Sequence, residues 1–136
     1  MDHAAQHHFS QKLFASKAPF SHFAARSGLG FTAGIIGQDP QHGRLVADGA
    51  AQQCTAMLEN LTTLLGEVGL DFSDIVKTTI YLVDYEDFEA INDVYAQYFH
   101  EPYPARTTIA AASLPLGAKV QIDAVVDLSA ASGAAR

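Results

Sequence analysis

From about Asp48 to Val68, apolar residues recur at steps of three and four: Cys54, Met57, Leu58, Leu61, Leu64, Leu65 and Val68. That spacing predicts an amphipathic helix, with Gly69 placed as its C-terminal cap. After Ser73 and Asp74, the β-branched run IVKTTIYLV predicts a central strand. A second helical stripe, formed by Phe88, Ile91, Val94, Tyr95, Tyr98 and Phe99, ends at the proline-containing EPYPA segment. Two further strands follow, ARTTIAAAS and AKVQIDAVVDL. In the second, Val120, Ile122, Ala124 and Val126 share one face, and Lys119, Gln121 and Asp123 the other. Between Pro19 and Gly37, aromatic and small residues flank Ser27 and Gly28 and predict a hairpin, while QDPQHGRLV reads as a loop.

The order strand, strand, helix, strand, helix, strand, strand predicts an α+β fold with two helices on one face of a mixed sheet. The opposite face then stays uncovered within one chain. Small apolar residues assigned to it, Ala110, Ala112, Ala124 and Val125, predict that it is buried against further copies. Residues 1 to 16 are expected to be a flexible N-terminal segment and 129–136 a C-terminal tail, around a single domain over 17–128.

Composition narrows the function classes. The chain has 136 residues, 49% hydrophobic and 17% charged, enough apolar material for one domain with a real core. Eight basic residues against 15 acidic give a net charge of -7, which makes nucleic acid an unlikely partner. Cys54 is the only cysteine, so no internal disulfide forms, and a reducing cytoplasm fits best. MDHAAQHHFSQKLFASK lacks the apolar region of a signal peptide, and no run reaches the ~20 apolar residues of a membrane span. His3, His7 and His8 lie close together without a carboxylate or thiol partner and are read as solvated rather than as a metal site. Cys54, on the apolar helix face, reads as an inert buried thiol.

The chain contains no GxSxG, GxxxxGK[ST], HExxH or CxxC motif, and GLGFTAG opens no predicted helix. Arg106 is the basic residue of most interest, because it begins a small-residue strand after a proline-containing loop. Its guanidinium has two readings: a bidentate clamp for a substrate carboxylate, or an ion pair with an acid such as Asp123 or Glu101. His22 lies in the first strand and is either a proton shuttle near neutral pH or a packed histidine. His42 and His100 carry no pairing signal.

The segments DIVKTTIYLVDYEDFEAINDVYAQYF and PARTTIAAASLPLGAKVQIDAVV, with PFSHFAARSG and FTAGIIG, resemble the RidA/YjgF family, also labelled L-PSP endoribonucleases. The resemblance covers roughly residues 17 to 127. It implies a chorismate-mutase-like α+β fold, assembled as a homotrimer whose sheets form a central barrel with clefts between subunits. It further implies hydrolysis of enamine and imine intermediates, such as 2-aminoacrylate and 2-iminopropanoate, to 2-keto acids and ammonia, without metal or organic cofactor.

Carried over by position, the resemblance makes Arg106 the carboxylate-binding arginine and Asn92 a shared asparagine. Gly34 matches a family glycine, and the backbone at Thr108, where the family frequently has cysteine, becomes a ligand contact. At three positions the chain departs from the pattern: Phe20 replaces a cleft tyrosine, Ala33 a serine, and Gln121 a glutamate that positions the attacking water. Glutamine can orient water but is no base at neutral pH. Asp123 lies on the same strand face and is a candidate to replace the lost acid, the other reading being a charge pair or a solvated edge. His22 remains a further site candidate.

Three readings follow. The first is a trimeric enamine/imine deaminase. The second is a binding module for small carboxylates that has lost or redirected catalysis, motivated by Phe20, Ala33 and Gln121. The third, RNA cleavage, rests only on the family label and conflicts with the acidic charge.

Overall fold

The first long helix is built from the predicted apolar stripe. The computed structural model describes residues 6–129, and in it α1 spans Ala50–Glu67 with Cys54, Met57, Leu58, Leu61, Leu64 and Leu65 fully buried. It ends at Gly69, whose φ of 78° suits glycine; Gly69 N–H donates to the Gly66 carbonyl and Leu70 N–H to that of Leu65. This double bond closes the helix as the sequence predicts. The second helix, α2, covers Phe88–Tyr98 and buries Ile91, Val94 and Tyr95.

Among the described residues seven strands form one sheet: β1 (Gln6–His8), β2 (Phe23–Arg26), β3 (Leu29–Thr32), β4 (Ile35–Ile36), β5 (Ile75–Leu82), β6 (Ala105–Ala110) and β7 (Val120–Asp127). The order is β1-β2-β3-β7-β5-β6, with β4 also on β7. The β5–β6 pair is parallel and bridged by α2, whereas the other pairs are antiparallel, so the sheet is mixed. The β2–β3 turn places Ser27 at φ 57° and Gly28 at φ 82°, the two positive values that a two-residue hairpin of matching twist requires.

Both helices pack on one sheet face, and Ile80, Leu82, Val120, Ile122 and Val126 meet them with no exposure. Ala124 belongs to this covered face, at 2% exposure, and not to the open one. Strand alternation requires this, since Ala124 continues the Val120–Ile122 series. The open face keeps large apolar groups in solvent, with Leu29 at 41%, Phe31 at 46% and Ile109 at 44% exposure. Among the described residues no helix is long and apolar enough to cross a membrane.

The N-terminal segment expected to be flexible supplies a strand. β1 pairs with β2, His8 Nε2 lies 2.6 Å from Glu67 Oε1, and Ser10 Oγ donates to Glu67 Oε2 at 2.8 Å. Three polar residues carry no period, so backbone pairing and this contact with the end of α1 hold the strand. His3 and residues 130–136 lie outside the described residues.

Candidate functional site

Arg106 and Thr108 lie on the edge strand β6, in register with Thr78 and Ile80 of β5. Those partners point beneath the helices, so Arg106 runs under α2. There its Nη2 donates to Asn92 Oδ1 at 2.6 Å and its Nε to Thr108 Oγ1 at 2.8 Å. The guanidinium carbon sits 4.6 Å from the centre of the Tyr95 ring and 5.7 Å from that of Phe88. Tyr95 is itself fixed, its hydroxyl 2.9 Å from Oγ1 of the buried Thr78.

Arg106 forms no ion pair with a carboxylate among the described residues, so the Asp123 and Glu101 alternative is not realised. A guanidinium has five N–H donors. Asn92 and Thr108 take one each, and both donors on Nη1 remain. Arg106 itself lines a cavity of about 400 Å³ walled by Phe88, Tyr95, Tyr103 and Pro104. A cation held rigid against an aromatic face and short of acceptors is suited to a small anion.

Phe20, His22, Gly34 and Gln121 line a second, larger cavity of about 660 Å³. Gln121 comes from β7, opposite Tyr81 and Ile36. Its amide hydrogen-bonds to no described residue. A Cβ added at Gly34 would lie 2.5 Å from Gln121 Nε2, so glycine there leaves the amide its place. Ala33 stands just outside, with its N–H donating to the His22 carbonyl at 2.9 Å.

His22 is buried, its ring 4.3 Å from that of Phe9 and 5.6 Å from that of Phe20. Burial pushes the imidazole below its ordinary pKa, against the opposing pull of the Glu67 charge. Nδ1 accepts the Ser10 N–H at 2.8 Å, so the neutral ring carries its proton on Nε2.

The two groups occupy opposite faces of the sheet. Arg106 and Thr108 share the helix face, whereas Gln121 and Asp123 share the open face with Tyr81 and Thr79. Asp123 lines neither cavity and accepts a 2.8 Å hydrogen bond from the Tyr81 hydroxyl, which raises the pKa of that tyrosine. Within one chain the cationic group and the free amide cannot reach a common small ligand. Cys54 is buried, and burial pushes its thiol up to about 12. No group of three or more His, Cys, Asp or Glu residues among those described could hold a metal ion.

Tyr95 and Phe88, members of the second helical stripe, also form the walls around Arg106. Helical spacing carried the signal: Phe88, Asn92 and Tyr95 stand at i, i+4 and i+7, on one face of α2. Tyr85, whose hydroxyl donates to the Thr108 carbonyl at 2.9 Å, and the His8–Glu67–Ser10 contact had no local signal.

The family described as Endoribonuclease L-PSP matches residues 10–128. A human protein named 2-iminobutanoate/2-iminopropanoate deaminase is 41% identical over 70% of this chain and 69% of its own. Reactive Intermediate Deaminase A, chloroplastic, of Arabidopsis thaliana is 38% identical over 88% of this chain, and the match spans 64% of the Arabidopsis protein's length. Among solved structures, E. coli TdcF with bound serine superposes with a TM-score of 0.82 at 32% identity, covering 90% of this chain and 98% of that one.

Proposed function

Because the chain belongs to the endoribonuclease L-PSP family, we propose that it is an enamine/imine deaminase, converting 2-imino acids of the 2-iminopropanoate kind to 2-keto acids and ammonia. The observation that carries this reading is the Arg106 guanidinium, fixed by Asn92 and Thr108 yet paired with no carboxylate among the described residues. The deaminase names of the human and Arabidopsis relatives support it.

The substrate carboxylate binds the free Nη1 edge of Arg106, which leaves the imine carbon at the cleft mouth. Gln121 orients a water molecule toward that carbon. Water oxygen adds to C2, the C=N π electrons pass to nitrogen and one water proton follows them, giving a tetrahedral amino alcohol. The remaining hydroxyl proton then moves to nitrogen, the C–N bond breaks as the C=O bond forms, and ammonia departs from the keto acid. Imines are electrophilic already, so positioning supplies much of the acceleration, and the net change is one water consumed and one ammonia released. Asp123 shares the sheet face of Gln121 but is held by Tyr81 outside the cavity that Gln121 lines, so the water falls to Gln121.

Arg106 and Gln121 lie on opposite sheet faces, so this chemistry requires two copies. We assign a homotrimer in which the open faces, with Leu29, Phe31 and Ile109, close into a central barrel. The Arg106 group of one copy then meets the Phe20–Gln121 group of its neighbour. The lone buried thiol supports a reducing compartment such as the cytoplasm.

The test is release of 2-keto acid from 2-iminopropanoate generated in situ. The reading expects a rate above buffer that Arg106→Ala abolishes. A rate equal to buffer, or an Arg106→Ala variant as fast as the parent, contradicts it. The amide at 121 favours one second reading, a carboxylate-binding module without turnover, which tight pyruvate binding in the absence of hydrolysis would establish.

A further inference from the structure

The larger cavity has a chemistry of its own. Phe14, Phe20, Ile36 and Leu116 provide apolar wall, while Gln121 and the neutral His22 contribute polar edges. Lys17 is the one formally charged residue lining it among those described. The other amides nearby are already engaged: Asn60 Nδ2 donates to the carbonyls of Ile36 at 3.1 Å and Gln38 at 2.9 Å, and Gln38 Nε2 donates to that of Gly43 at 2.7 Å. An occupant therefore meets hydrocarbon over most of the wall, with Gln121, His22, Ser16 and Lys17 as the polar groups along it.

Leu116 makes a second, independent case. It lies at φ 60° and ψ 15°, in the left-handed region that disfavours a side chain, and it is 62% exposed at the cavity rim. Neither backbone preference nor core packing accounts for a leucine there. An apolar group seated against it would.

We propose that this cavity receives the apolar side chain of the substrate, so that the preferred substrates are 2-imino acids with bulky branched or aromatic side chains. This rests on the deaminase reading above, with the carboxylate held by Arg106 of the neighbouring copy. In the single chain the cavity measures about 660 Å³, and it is bounded on the neighbour's side by the Arg106 group, so the methyl group of 2-iminopropanoate leaves its apolar wall uncovered. Each added methylene in such a pocket is worth about 10- to 200-fold in discrimination.

The experiment compares kcat/KM for imines generated by an amino-acid oxidase from alanine, leucine and phenylalanine. In parallel, calorimetry compares the affinities of pyruvate and 4-methyl-2-oxopentanoate. The expected result is a leucine-derived rate about tenfold or more above the alanine-derived rate, with the keto acids ranked in the same order. In Leu116→Asn, which keeps the left-handed backbone accessible, the leucine-to-alanine ratio should fall severalfold. Hydrolysis that is equal for the two substrates, or faster for the alanine-derived imine, overturns the pocket while leaving the deaminase reading intact. An unchanged ratio in Leu116→Asn also overturns it. If no imine is hydrolysed yet 4-methyl-2-oxopentanoate binds about tenfold tighter than pyruvate, the deaminase reading fails and the pocket stands. Equal binding, or none, with no hydrolysis removes both.

Discussion

Replacing Arg106 by lysine keeps the positive charge and removes the planar fork, which makes it a sharper test than alanine. Asn92 and Thr108 hold the guanidinium by bonds of 2.6 and 2.8 Å, so its free edge is fixed before ligand arrives. A carboxylate bound there makes two charge-assisted hydrogen bonds, each worth about 1.5–3 kcal/mol. Lysine retains one of them. The expected loss in kcat/KM is therefore about 10- to 150-fold for Arg106→Lys and about 10²- to 10⁴-fold for Arg106→Ala. The readout is keto-acid formation from oxidase-generated imine, beside a urea-unfolding curve. Lysine can keep one of the two contacts to Asn92 and Thr108, so stability should fall by about 1.5–3 kcal/mol in Arg106→Lys. Asn92→Asp provides the complement: a carboxylate beside the guanidinium competes with the substrate, so KM should rise while the fold persists. A lysine variant equal to the parent, or an Asn92→Asp variant with unchanged KM, would refute carboxylate binding at Arg106.

Gln121→Glu supplies a base where water is oriented and should raise hydrolysis at least about tenfold; an unchanged rate means that the water is positioned elsewhere. The Cys54 thiol, with its pKa pushed up to about 12, should resist iodoacetamide at pH 8 in the native protein and react once unfolded, so rapid native labelling would contradict its burial. Burial pushes the Glu67 carboxyl up, but hydrogen bonds from His8 and Ser10 outweigh this and leave its pKa below the ordinary value of 4.5. Glu67 therefore stabilises the fold fully above that value, and this contribution is lost as pH falls through the lowered folded pKa. Urea midpoints of parent and Glu67→Gln should converge on acidification, and a gap that widens instead would reverse the sign.

The elements that carry many apolar residues at a fixed period were legible from sequence. α1, α2, β5 and β7 lie where the spacing of Leu, Ile and Val residues places them, because one buried stripe or face specifies each. β1 and β4 were not, since Gln6–His8 is polar and Ile35–Ile36 too short to show a period. Arg106, Asn92 and Thr108 do meet, but which groups share a sheet face was invisible. That depends on the pairing of Thr78 with Arg106 and of Tyr81 with Gln121, set by contacts far apart in the chain. Ala124 was placed on the wrong face because its small size suits either side, whereas its parity with Val120 and Ile122 decides.

A reaction site built from the Arg106 group of one copy and the Gln121 group of another can be reconstituted from two defective chains by subunit complementation. Arg106→Ala destroys the first group, and Gly34→Leu drives a side chain into the place of the Gln121 amide. Each variant alone should be inactive. Unfolded together in equal amounts and refolded, they should regain about a quarter of the parent activity, the fraction of interfaces that combine two intact groups in a cyclic assembly. No recovery from variants that refold and assemble normally would contradict a shared site.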